Sequence, residues 1–518
     1  MDSTYLHIGH EAQLFVDNCL LECTYGLTRR WHKPVRRRDA PLITQDRPWE
    51  QTLYFTYSNY CVIKDPEDGL VKCWYEDLGL INGEGHPWKT RVLYAESKDG
   101  IHFQKPALDI CMIDGRRTNV VMGYVEGMKP SELNPWTDVG VHSNGIVIDP
   151  FPTAPDERFR TMFTRATFGG NLGIRGTSGC AHSADGIHWK EYDEPPVFGR
   201  SGGHLGDVSC IHYDHNALLF VQNTRHGVQS MVAEAPYTPK LNPYFPPYYP
   251  HRPDLMNKRR VYQTRSHDFI HWMDPIPVSV PDDEIDSLDE AHYGMQQFHV
   301  GSMHFATLGV LRYVDNEMEV RLLFSRDGLH FKPTDRGGAF LAPRGEGCWD
   351  AHMVSITSQP VEMGDEWWFY HGGTSSHHDW WIGPPEGIDE PEVYDPERHV
   401  RFGLGLAKLR KEGIASLDGS RQREGYVITR PVMSTGERLM VNARCRTGGS
   451  IRVELLDLNN QPMGNCTLEA CDPFIGDSTS HTMTWDGTPT VLGAGQWRKL
   501  AFFLRDAEIF SFRLGEAG

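Results

Sequence analysis

The sequence predicts an all-β chain, a five-bladed β-propeller followed by a C-terminal β-sandwich, and three observations carry that prediction. First, the phrase Ser-x-Asp-Gly-x-His-aromatic recurs four times, at Ser97–Phe103, Ser183–Trp189, Ser266–Trp272 (with Phe269 in the glycine place) and Ser325–Phe331. The copies lie 86, 83 and 59 residues apart, a period that marks repetition of one supersecondary unit. Second, short segments rich in aromatic and β-branched residues dominate, among them Tyr54–Ile63, Arg91–Ala95, Phe159–Thr164, Glu319–Phe324 and Trp367–Tyr370. They are bounded by Gly, Pro, Asp or Asn, and no long helical periodicity competes with them. Third, the repeat stops near Gly425, and Tyr426–Leu514 alternates apolar with polar residues as a small sandwich does.

Each phrase has the grammar of a hairpin turn, with Asp-Gly at the tip and an aromatic opening the next strand. Four-stranded units closed by such turns are propeller blades. Reading back from each phrase gives the innermost strands, which open near Ser58-Asn59-Tyr60, His142-Ser143-Asn144, Gly206-Asp207 and Glu290-Ala291-His292. A fifth opening appears at Trp349-Asp350-Ala351-His352 without a phrase of its own. The expected domains are therefore a propeller over residues 1–415 and a sandwich over 425–518. The Pro/Tyr-rich stretch Ala235–Pro253 reads as a loop, a candidate lid or contact in a homo-oligomer.

Composition narrows the function. The 518 residues carry a net charge of −18, which argues against nucleic acid as a partner, since phosphate binding needs a basic surface. No run of 18 apolar residues suggests a membrane span. The opening Met1–His10 lacks the basic-then-apolar pattern of a secretory signal. The 11 cysteines show no CxxC pair, as in reduced cytoplasmic proteins; core filling is their expected role, and a cytoplasmic location is expected.

In a propeller the loops entering the innermost strands and those joining strands two and three share one face. The Asp-Gly turns lie on the other, so the four repeated aspartates are expected to be structural. The first face gathers an unusually polar set: His86 and Trp88; His142, Asn144 and Arg165; His204, Asp207 and Arg225; Glu290 and His292; Trp349, Asp350, His352 and His371. Carboxylates, histidines, arginines and tryptophans around one axis have the composition of a carbohydrate pocket, where aromatic faces stack on sugar rings and polar groups bind hydroxyls. Glycoside cleavage needs two carboxyl groups, one of them protonated. Asp207, Glu290 and Asp350 are the candidates. The acidic run Asp282–Asp289 is expected to raise the pKa of Glu290 and make it the general acid. Asp350 is the candidate nucleophile or base, and Asp207 orients the sugar or tunes the acid. Glu346 and Asp289 are the substitutes. No cofactor is expected, although His142, His204, His292 and His352 recur at blade entrances and leave a divalent metal at the axis as an alternative.

The blade count, the inner-strand carboxylates, the repeated phrases and the trailing sandwich together resemble the five-bladed propeller glycoside hydrolases, the relatives of families 32, 43 and 68. Ala12–Asp17 and Leu27–Pro34 look like a bacterial family-32-like group. The resemblance implies a glycosidase acting on a small oligosaccharide, with a furanoside a candidate substrate. The blade-one entrance offers Asn59 where family 32 places an acid, which implies acids shifted to other blades and makes Asp17 a candidate stand-in. Two further readings stay open: a phosphorylase, transglycosidase or metal-assisted lyase, and a sugar-binding propeller without catalysis. A phosphorylase would need cationic groups for phosphate, with Arg165, Arg225 and His226 the candidates.

Overall fold

The computed structural model describes residues 5–37, 40–81, 84–131, 134–167, 175–199, 206–225, 259–282, 284–287, 289–312, 317–378, 402–436, 438–489 and 495–515; side chains at 79–88 and 167–176 are outside this description. The Ala235–Pro253 insert, His204, His226 and residues 379–381 lie outside it too.

The chain is all-β. Blade one runs outward from Thr52–Tyr54 and Tyr60–Lys64 through Val71–Ile81 and Glu84–Ser97 to Val120–Gly123. Blade two is Val139–Ile148, Phe159–Thr167, Arg175–Ser183 and Lys190–Glu191. Blade three is built on Ser209–Asp214, Leu219–Thr224 and Val261–Ser266, with Ile276–Ser279 at its edge. Blade four is Glu290–Val300, Met303–Arg312 and Glu317–Ser325, flanked by Lys332–Pro333 and Ala339–Leu341. Blade five is Met353–Ser355, Glu366–Thr374 and Phe402–Arg410. Its outer strand comes from the other end of the chain: Val35–Arg36 pairs antiparallel with Ala407 and Lys408. That strand latches the ring shut.

Side-chain hydrogen bonds tie neighbouring blades together near the axis. Cys61 Sγ meets Ile146 O, the Ser143 hydroxyl donates to Asp207 O, Gln296 Nε2 reaches Ile211 O at 3.3 Å, Thr307 Oγ1 reaches Ile356 O at 2.9 Å, and Tyr60 Oη reaches Ser355 O at 2.8 Å. Each joins one blade to the next. Buried backbone carbonyls are thereby satisfied where the sheets no longer pair.

The repeated phrase makes the same turn four times. In the second copy, Asp185 Oδ1 accepts from the amides of Ile187 and His188 at 2.8 Å, Oδ2 meets His188 Nδ1 at 2.8 Å, and Ser183 Oγ donates to Oδ1 at 3.0 Å. The residue at the tip is left-handed throughout: φ is 71° at Gly100, 78° at Gly186, 74° at Phe269 and 71° at Gly328. The tip carbonyls also receive a donor from the preceding blade, Tyr370 Oη on Gly100 O and Trp74 Nε1 on Gly186 O. Gln263 Nε2 does the same for Gly328 O, and Arg160 Nη1 bonds Asp268 O. The phrase is therefore both a turn and an inter-blade staple.

The C-terminal region is one eight-stranded hydrogen-bonded sheet curled over its own core. Its long strands Arg438–Leu456 and Lys499–Gly515 pair along most of their length, with register shifts at Asn442/Ala443 and Cys445/Ser450. Val453, Leu500, Phe502 and Phe512 pack with Phe474, Met483 and Trp485. Three N-terminal strands join this sheet and no blade: Gln13–Leu14 pairs with Lys499–Gly515, Leu21–Tyr25 with Gly425–Thr429, and Leu27–Trp31 with Ala415–Gly419. This corrects the expected place of Asp17. It is held by Arg326 in the fourth phrase (2.7 and 2.9 Å), at the Asp-Gly end of blade four, and is no substitute for a blade-one acid.

Candidate active site

The second strand of blade one carries two acids side by side, and strand alternation sends them opposite ways. Asp77 turns into blade one, where Arg91 and the amides of Gln51 and Thr52 hold it. Glu76 turns toward blade two and is fully buried. Its Oε2 accepts from Asn59 Nδ2 at 2.5 Å and from the Ser143 amide at 3.1 Å, and its Oε1 meets His142 Nδ1 at 2.5 Å. Both strand entrances at this point are left-handed, with φ of 61° at Ser58 and 59° at Ser143. Such backbone is costly for residues with a side chain and concentrates at functional sites. Burial alone would push the His142 pKa down, but the Glu76 carboxylate outweighs it and Asp207 adds to the effect, so the pKa is raised.

Asp207 opens the innermost strand of blade three. Its side chain is 39% exposed and pairs with the Arg225 guanidinium. Burial opposes its charge, yet Arg225, His142 and Arg259 together hold its pKa well below the ordinary carboxylate range. Arg225 and Arg259 lie against the ring of Tyr293 in blade four, 4.7 and 4.5 Å from its centre. His378 of blade five reaches the Tyr293 hydroxyl at 3.2 Å and Arg259 Nη1 at 3.3 Å. One charged and hydrogen-bonded network thus draws on all five blades: Glu76 with His142, which feels the charge of Asp207, then Asp207 with Arg225 and Arg259, Tyr293 and His378.

The other expected site residues fall into separate groups. Glu290 is buried and gripped by Arg321 through both oxygens, at 2.6 and 3.0 Å, with His292 at 3.8 Å. Burial would raise its pKa, but His292 and Arg321 outweigh burial and hold it at about 2. This corrects the assignment of Glu290 as general acid: Asp286 of the acidic run does lie close by, but the Arg321 guanidinium and His292 keep the carboxylate ionised. Asp350 is fully buried between Arg344, at 2.5 Å, and Arg36, at 3.0 Å. Arg36 also donates to Ala342 O, so Asp350 anchors the latch strand. Trp349 stacks on His371, rings 5.5 Å apart, and burial then Arg36 push the pKa of His371 down to about 3. His292 bonds Ser279 and His352 bonds Glu317, while exposed Glu346 lies 3.4 Å from His352. Arg165 turns to Glu191, and Asp289 pairs with Arg312. The Asn144 amide is buried with neither polar atom hydrogen-bonded. The side chains of His86 and Trp88, and all of His204, lie outside the described residues.

The entrance histidines therefore do not form a single ring. Asp286, Glu290 and His292 make one group with the span of a metal site, and Glu317, His352 and His377 another. The sequence reading missed Glu76, Arg259 and Tyr293 as members of the centre; His378 it could place only in the loop after His371. Glu76 had a signal, a charge set directly after the apolar Cys73-Trp74-Tyr75, where an unpaired charge would be costly.

No protein-family profile matches the chain, and no curated protein does. Solved structures similar to it include an N-acetylgalactosamine deacetylase from F. plautii in complex with blood group B trisaccharide, at 14% identity and a TM-score of 0.42, covering 73% of this chain and 95% of that one. A Bombyx mori family 32 β-fructofuranosidase matches at 9% identity and 0.37, covering 94% and 95%. A member of family 130, whose mannoside phosphorylases include hydrolases that target β-1,2 mannosidic linkages in Candida mannan, matches at 13% and 0.41, covering 74% and 94%. These are distant likenesses.

Proposed function

We propose that the propeller funnel is the active site of a carbohydrate-active enzyme that cleaves a glycosidic bond in a small oligosaccharide. The observation that supports this reading is an ionised, partly exposed Asp207 beside a histidine whose pKa is raised, where five blades meet. Bond cleavage at an anomeric carbon needs a group that donates a proton to the leaving oxygen and one that attacks or activates water. His142, held by Glu76, takes the first role and Asp207 the second. Glu290, ionised at neutral pH, binds hydroxyls or stabilises developing positive charge. Asp350 has no part in the chemistry.

The pair Arg225 and Arg259 with His378 favours a second reading, in which inorganic phosphate replaces water as the attacking group. Guanidinium pairs match phosphate geometry. The test is an assay of purified protein on aryl glycosides and short oligosaccharides, with and without phosphate. Sugar release that falls by about a hundredfold or more in Asp207→Asn and in His142→Ala supports the proposal, since general acid–base groups contribute on that scale. Sugar 1-phosphate as the product selects the second reading. Release unchanged in both variants overturns both.

A further inference from the structure

The face opposite the funnel carries a cluster the proposed activity does not use. The innermost strand of blade three ends at His212, Tyr213 and Asp214, and the first hairpin of blade four turns tightly between His299 and His304, which pair directly across it. His299 Nε2 lies 2.9 Å from His304 Nδ1, Asp214 Oδ1 3.5 Å from His299 Nε2, and Asp214 Oδ2 4.0 Å from His304 Nδ1. All three ligand atoms fall within 4.8 Å of one another. A tetrahedral ion with bonds near 2.1 Å places its ligand atoms about 3.4 Å apart, so the three distances bracket that spacing.

A second observation points to a ligand. His212 is 1% exposed, its ring centre is 5.3 Å from that of His299, and neither of its ring nitrogens has a hydrogen-bond partner. A buried imidazole without a partner is costly unless something satisfies it. The frame is rigid as well. Asp214 Oδ1 accepts from the amides of Asn216 and Ala217, both at 2.9 Å, and Asn216 Nδ2 clips the blade-four turn at Gly301 O.

We propose that Asp214, His299 and His304 bind a divalent transition metal of the zinc class that clamps blade three to blade four, with His212 holding a water bound at the open position. Two imidazoles and one carboxylate suit zinc, cobalt or nickel and leave one position open. The purpose is structural, because the cluster sits at the far end of strands whose other ends carry the funnel residues Asp207 and Glu290.

The test uses the intact chain, stripped with chelator, dialysed against cobalt, and followed by metal analysis and by the visible absorption of tetrahedral cobalt. The wild type is expected to bind an equivalent that His299→Gln and His304→Gln each weaken by more than about a hundredfold, and His212→Gln by about ten- to a hundredfold, as outer-shell changes do. The rise in melting temperature that zinc gives the wild type disappears in the same variants. Circular dichroism of the metal-free proteins checks that each variant is folded. Glu317→Gln, in the funnel, is the control and keeps the equivalent. No cobalt on the wild type overturns the proposal, as does an equivalent that survives in the His299→Gln/His304→Gln double variant; the cluster is then only a hydrogen-bonded pair beside an aspartate.

Discussion

His142 has its protonation set by one neighbour. Its pKa is raised in the fold because the Glu76 carboxylate outweighs the effect of burial. A raised histidine contributes stability in full below its unfolded value, about 6.5, and loses that contribution as pH rises through the folded value. Glu76→Gln keeps the shape and removes the charge. The imidazole of His142 is then expected to titrate at lower pH, which its ring proton resonances will report. The stability lost in the variant is larger below about pH 6 than above about pH 8, and the alkaline limb of kcat/KM moves down in pH with the imidazole. A fixed limb would remove His142 from the proton-donor role. At this scale the sequence was only partly legible. That Asp207 and His142 stand at strand entrances could be read from the sequence, whereas the charge state of Glu290 could not, because its partner Arg321 comes from another strand of the same blade and only register brings them together.

At the scale of elements, the turn phrase shows what a repeat can and cannot tell. Its internal bonding follows from residue types two and three positions apart, so the structural role of the aspartates could be read directly. The staples to Trp74, Gln263 and Tyr370 could not, because those donors lie on other blades and share no motif. Gly186 depends on both kinds of contact. Its φ is 78°, and a Cβ there would lie 2.5 Å from Trp74 Cζ2. Gly69 has a similar φ of 74° with nothing within 4 Å of a Cβ. Gly69→Ala should therefore cost only the left-handed strain, about 1–2 kcal/mol. Gly186→Ala adds overpacking at the blade boundary, for a total of about 2–5 kcal/mol. Urea unfolding of the two variants measures the difference, and equal losses would mean that the Trp74 contact is slack.

For the whole molecule, five blades follow from four phrases and a fifth opening, but the way the ring closes does not. Residues 1–37 contain no copy of the repeat, so nothing in them announces that Val35–Arg36 completes blade five or that the preceding strands complete the C-terminal sheet. The same closure explains why Asp350 resembles a funnel acid in sequence and behaves differently in space. Its carboxylate lies between Arg344 and Arg36, the arginine of the latch strand, with no exposed surface. Asp350→Asn would leave two largely buried guanidiniums without their counter-ion, and breaking a buried pair from one side costs about 3–5 kcal/mol. The expected result is a markedly lower melting temperature and faster proteolysis near Val35–Arg36, while the protein that remains folded at low temperature keeps its kcat/KM. Asp207→Asn also leaves Arg225 without its counter-ion and should lower the melting temperature, but it differs in losing turnover in the protein that remains folded, because its carboxylate is partly exposed and its job is chemical. Loss of turnover in Asp350→Asn without loss of stability would return that aspartate to the reaction and make the latch incidental.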